Sequence, residues 1–189
     1  MERVIVENRS ETPIVYDQYA RIVREDGKWC FEQYRVDYHA TYLSADGRRT
    51  VCIFDAPDAE ALRLVSRALG TSEGTVWSAA FHVPSTVVPS HGGTACAARP
   101  GLETVVVERQ FRNPVTIAEL EAIPERANWC LETHRVRYLG SYVARHGRRM
   151  LCFYEAPDAE AVRIAQREAA MPADAVWACS SITAPGARG

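Results

Sequence analysis

The chain has 189 residues, 47% of them hydrophobic and 24% charged, with a formal net charge of −2. That balance argues against a nucleic-acid partner and against an anionic membrane surface, both of which select a basic excess. Lys28 is the one lysine, so chemistry through a lysine Schiff base is nearly excluded. No apolar run approaches the ~18 residues of a membrane span. The opening MERVIVENRSE turns polar too early for a secretory signal, and the expected location is cytoplasmic. The six cysteines include no C-x-x-C pair, so zinc-ribbon and thioredoxin readings lack support, and buried, reduced thiols are expected.

Val4-Ile5-Val6-Glu7 predicts a first strand. A helical pattern follows from Ile14 to Tyr34, broken or kinked at Asp26-Gly27. Residues 35–44 and 49–55 predict two strands joined by a hairpin at Ala45-Asp46-Gly47-Arg48, where Asp-Gly tolerates positive φ. Ala56-Pro57-Asp58-Ala59-Glu60 marks a helix start, with proline suited to the first helical position and acids complementing the helix dipole. Ala61, Leu62, Val65, Ala68 and Leu69 share one face of that helix, and residues 75–83 predict a fourth strand.

The same order then recurs. Residues 29–62 and 129–162 align without a gap at an offset of 100 and share 17 identities, a density that makes the chain two copies of one domain. Strands are expected at 104–108, 135–144, 148–155 and 175–183, with helices at about 116–134, around Pro124, and at 157–170. The order βαββαβ is the ferredoxin-like split motif. The fold class is therefore α+β, with repeats at 1–83 and 102–185. The Pro/Gly/Ser-rich stretch 84–101 reads as a linker. A lone copy of this motif leaves one sheet face bare, so the two repeats are expected to pack sheet to sheet as a pseudo-dimeric α/β barrel.

Several runs carry a family resemblance: Val107-Glu108-Arg109-Gln110-Phe111, Ser141-Tyr142-Val143, the stretch from Gly147 to Cys152, and Glu155 to Val162. They resemble the nickel-binding-protein-like family of small ferredoxin-like domains, across nearly all of the second repeat and most of the first. The resemblance implies the fold and, for a histidine-bearing subset, nickel binding. Nickel favours imidazole ligands, yet none of His39, His82, His91, His134 and His146 has a histidine at its repeat-equivalent position, and no H-x-H or H-x-x-x-H pair occurs. No cofactor is expected, with nickel the exception the resemblance leaves open.

Differences between the copies single out the candidate residues. Strand 35–44 places Tyr38, Ala40 and Tyr42 on one face, matched by Tyr138, Gly140 and Tyr142. The small central residue assigns that row to the helix face. The other row reads Asp37, His39, Thr41 in one copy and Arg137, Leu139, Ser141 in the other. His39 is the first candidate proton-transfer group, with Glu7 and Glu108 as carboxylate partners. Arg109 suits bidentate binding of a carboxylate or a phenolate. Thr41, Ser141, Trp77 and His82 complete the expected substrate contacts. The position-matched pairs Trp29/Trp129 and Trp77/Trp177 read most economically as core. No phosphate loop, nucleophile elbow or dinucleotide fingerprint is present.

The expected function is small-molecule binding with cofactor-free acid–base catalysis, of isomerase or cyclase type, in a pocket between the repeats. A nickel-binding protein and a non-catalytic ligand-binding or interaction module are the alternatives. The partner is a small-molecule ligand, and the protein is a monomer or a homo-oligomer of pseudo-dimers.

Overall fold

The structure is a computed structural model that describes residues 1–71, 74–83, 99–121 and 125–183. The first repeat holds β1 (Glu2–Arg9), α1 (Tyr16–Arg21), α2 (Lys28–Gln33), β2 (Asp37–Ser44), β3 (Arg49–Ala56), α3 (Ala59–Ala68) and β4 (Thr75–His82). The second holds β5 (Glu103–Gln110), α4 (Ile117–Glu121), α5 (Glu125–Thr133), β6 (Arg137–Ala144), β7 (Arg149–Ala156), α6 (Ala159–Glu168) and β8 (Ala175–Thr183). Most of the expected linker, residues 84–98, and the helix segment at Pro124 lie outside the described residues.

The fold class is the expected one: α+β, with two ferredoxin-like repeats contributing to one antiparallel sheet. The eight strands run β1-β3-β2-β8-β5-β7-β6-β4 in a closed order, the connectivity of a pseudo-dimeric α/β barrel. The compact units do not coincide with the repeats. One comprises Met1–Ala79 with the segment from Ser180, and the other comprises Ala80–Cys179. β4 and β8 therefore each divide their residues between the two units.

In the first unit Val4, Val6, Cys52 and Phe54 of the sheet bury against Phe31, Leu62 and Val65 of the helices. The C-terminal end of β8 joins this unit. Ile182 packs on Ala20 and Val23, and the Tyr38 hydroxyl donates to the Ile182 carbonyl at 2.7 Å. The second unit repeats the plan, with Val105, Val107, Cys152 and Tyr154 against Leu131, Val162 and Ala165. There the end of β4 contributes Phe81, whose ring lies 5.0 Å from that of Tyr142.

Local chemistry explains the element ends. Asp58 and Asp158 cap α3 and α6, accepting the amides of Ala61 at 2.9 Å and Ala161 at 2.7 Å, which satisfies donors left open at a helix start. Pro57 and Pro157 thus precede the cap instead of opening the helix. Gly47 and Gly147 hold φ of 69° and 68° in the two hairpins, a region that costs glycine least. The long first helix is interrupted, as expected near Asp26-Gly27. Ile22–Asp26 winds as a π-turn, closed by the Gly27 amide donating to the Ile22 carbonyl at 2.8 Å.

One expectation is overturned. Tyr38 pairs with Phe54, but Ala40 pairs with Ile53 and Thr41 with Cys52, so His39 is the extra residue of a β-bulge. The register slips identically at Leu139. Such an insertion reverses every side chain beyond it. Ala40, Gly140, Tyr42 and Tyr142 therefore lie on the face away from the helices, whereas Thr41 and Ser141 face the helices. Gly140 adopts φ of +142°, and a Cβ there would lie 2.5 Å from the Phe81 ring. Its small size serves that ring and not a helix. A second expectation also fails for half of its residues: Trp77 and Trp177 are core, but Trp29 is 54% and Trp129 64% exposed.

Candidate functional site

On the helix-free face of the first unit, the bulge turns His39 toward Asp55. His39 Nε2 lies 2.7 Å from one Asp55 oxygen, and Arg3 Nε donates to the other at 2.7 Å. Burial by itself would lift the Asp55 carboxyl, but Arg3 and His39 outweigh it and hold the group below the usual carboxylate range. On the same face Glu7 accepts the Trp77 indole N–H at 2.6 Å. Register places Ile5 of β1 opposite Trp77, two residues from Glu7. Thr41 is not part of this group. It is fully buried on the helix side, donating to Cys52 Sγ at 3.2 Å.

The second unit answers with different chemistry. Glu108 is buried and accepts the Trp177 indole N–H at 2.9 Å, matching the Glu7–Trp77 pair. Glu155 stands in for Asp55 and is only 2% exposed, held by Arg99 and Arg137, each at 2.9 Å or less. Ser141 is buried against the Tyr138 hydroxyl, with which it hydrogen-bonds. His82 is buried, and its Nε2 has no hydrogen-bond partner among the described residues.

Arg109 does not lie at a surface ion pair or open toward a ligand. It points into the helix-side core, donating to Cys152 Sγ at 3.3 Å, to the Tyr154 hydroxyl at 3.4 Å and to Gln166 Oε1 at 2.5 Å. Burial pushes its pKa down, but the sulfur and phenolic oxygen beside it more than reverse that, and the guanidinium stays charged.

Register makes Asn8 the first-unit equivalent of Arg109, because Asn8 pairs with Thr50 as Arg109 pairs with Met150. The offset of 100 makes Ser66 the equivalent of Gln166. Ser10 likewise takes the place of Phe111. Every one of these replacements is smaller in the first repeat, and together they leave a cavity of about 410 Å³ between sheet and helices. Phe31, Phe54, Leu62 and Val65 form its apolar walls, and Asn8, Thr50 and Ser66 line its polar side. Sequence reasoning singled out Arg109 but missed the cavity. The signal was there, in three coordinated losses of side-chain volume at repeat-equivalent positions.

The sequence pattern described as nickel responsive protein SCO4226-like matches residues 4–78 and 106–178. The chain belongs to the SCO4226-like family. A search of curated proteins gives no significant match. Among solved structures, this SCO4226-like protein is similar to chlorite dismutase from Candidatus Nitrospira defluvii. The imidazole complex of that enzyme matches at 10% identity and TM-score 0.53, over 94% of this chain and 91% of the other. An arginine-to-lysine mutant of the same enzyme matches at 11% identity and TM-score 0.52, over 95% and 91%. At such identities the likeness is one of fold.

The family description raises nickel, and the donor set tests it. Among the described residues no three His, Cys, Asp or Glu side chains gather where they could hold a metal ion. The Nε2 atoms of His39 and His134 are taken by Asp55 and by Glu168, the latter at 2.8 Å. Nickel prefers several imidazole nitrogens, and the described residues of this SCO4226-like chain do not supply such a set. Also among them, no helix is long and apolar enough to cross a membrane.

Proposed function

We propose that this protein binds a small organic molecule and that the cavity of the first repeat is its site. The supporting observation is the cavity itself, which exists where the second repeat places Arg109 and Gln166. Its volume falls in the range of small-molecule pockets, and its lining joins apolar walls to a few polar groups, as such pockets do. A half-open pocket of this size, where the other repeat places the large side chains of Arg109 and Gln166, points to an occupant.

The experiment uses N-phenyl-1-naphthylamine, a neutral dye that fluoresces in apolar sites. The parent protein is expected to bind it with one saturable site. Asn8→Arg combined with Ser66→Gln, the residues the second repeat carries, should weaken binding by at least about 10-fold, which is ~1.4 kcal/mol. Ser66→Met fills the same space without adding charge, and urea unfolding shows which variants keep the fold. Undiminished dye binding in a folded, filled variant defeats this assignment.

A second reading concerns proton transfer. The His39–Asp55–Arg3 chain favours it, because a carboxylate bonded to one ring nitrogen fixes the tautomer and leaves the other nitrogen available as a base. Glu7, on the same face of the first unit, is the carboxylate offered as its partner, and it accepts the Trp77 indole N–H. Under this reading the protein turns over enolisable carbonyl compounds. His39→Leu, the residue of the second repeat, should lower that rate by about 100-fold or more. A rate unchanged in His39→Leu removes His39 from the chemistry.

A further inference from the structure

We infer that the ligand of the first-repeat cavity is a neutral amphipathic molecule, with a ring-bearing apolar body and one amide, hydroxyl or carbonyl group. This rests on the cavity being a ligand site, as proposed above, and adds the chemical class that it selects.

None of the described residues that form the cavity is an acid, an arginine, a lysine or a histidine. Two lining groups are able to ionise, Tyr19 and Cys52, and both stay neutral. Burial, then the neighbouring Cys52, pushes the Tyr19 hydroxyl well up, and burial pushes the Cys52 thiol up. They are further engaged with one another, at 3.1 Å. An ion entering such a space would give up its hydration without meeting a countercharge, a heavy cost in a low-dielectric site.

The second repeat shows the contrast at equivalent positions, where the Arg109 guanidinium replaces the Asn8 carboxamide. Asn8 donates Nδ2 to Thr50 Oγ1 at 3.3 Å, and its Oδ1 is buried without a partner among the described residues. A carboxamide has donor and acceptor ends that exchange by rotation. With the hydroxyls of Thr50 and Ser66 beside it, it can therefore serve either a donor or an acceptor on a neutral ligand. The Phe31 and Phe54 rings, 5.8 Å apart edge to face, offer an aromatic body the contacts that rings prefer.

A matched series on one ring tests the class: 2-naphthamide, 2-naphthoate and 2-naphthylmethylammonium, each displacing N-phenyl-1-naphthylamine from the full chain. The amide is expected to displace the dye, with both ions weaker by at least about 100-fold. Asn8→Leu should weaken the amide by at least about 10-fold more than it weakens unsubstituted naphthalene. Equal displacement by naphthoate or by the ammonium overturns the neutral class and leaves the binding site standing. Equal losses for amide and naphthalene in Asn8→Leu overturn the role of the carboxamide. If the parent binds no dye, the site itself falls and the class with it.

Discussion

Arg109→Ala is expected to lower the unfolding free energy by about 3 kcal/mol, the typical cost of a large-to-small change in a packed interior. The side chain is 4% exposed and fills the space that the first repeat leaves open. Its loss strands the Gln166 carbonyl oxygen, whose partner nitrogen Nε2 already lacks a hydrogen bond among the described residues. A stranded buried acceptor adds its own desolvation cost. Arg109→Met keeps most of the volume and drops the charge, and it should recover most of the loss, since a buried charge is weak support for stability. Urea unfolding of the three proteins measures this. An alanine variant as stable as the parent would mean that the guanidinium is not a packing element of the second unit.

Glu155→Gln is expected to cost about 2 kcal/mol at neutral pH, the scale of hydrogen bonds to a charged group. Arg99 and Arg137 are 64% and 41% exposed and can return to water, which keeps the figure from rising further. Burial alone would raise this carboxyl, but the Arg99 side chain and backbone amide, with Arg137, more than offset it and the folded-state pKa is depressed. The unfolded chain binds the proton more readily, so the carboxylate stabilises the fold above about pH 4.3. That contribution is lost as pH falls through the lower folded value. The stability gap between parent and Glu155→Gln should therefore be full at pH 7 and close under strong acid. A gap independent of pH would assign the loss to packing and not to charge.

Much of the fold was legible because its signals are local and doubled. Asp46-Gly47 and His146-Gly147 both mark hairpins whose glycines sit at positive φ, and the Pro-Asp-Ala-Glu runs both mark capped helices. The row assignment around His39 failed because strict alternation assumes an unbroken ladder, and a bulge residue adds nothing to composition that marks it. Gly140 was the one local sign, a glycine inside a strand pattern. Trp29 and Trp129 misled for another reason: duplication preserves a residue without saying which way it points. Among the candidate residues, Glu7 with Trp77 and Glu108 with Trp177 fall into matched contacts. Arg109, Thr41 and Ser141 instead lie on the helix side of their own units. Tertiary position separates them, and strand periodicity alone does not reach that far.

The division of β4 and β8 between the compact units bears on how the gene can be cut. A fragment ending at the first repeat would lack Ile182, which closes the space over Ala20 and Val23, and would forgo the carbonyl that receives the Tyr38 hydroxyl. A fragment beginning at the second repeat would lose Phe81 from beside Tyr142 and Gly140. Neither half of the message encodes a finished piece. The reading frame is duplicated, but the folding unit is shared, and recombination at the repeat boundary would separate residues that the interior needs together.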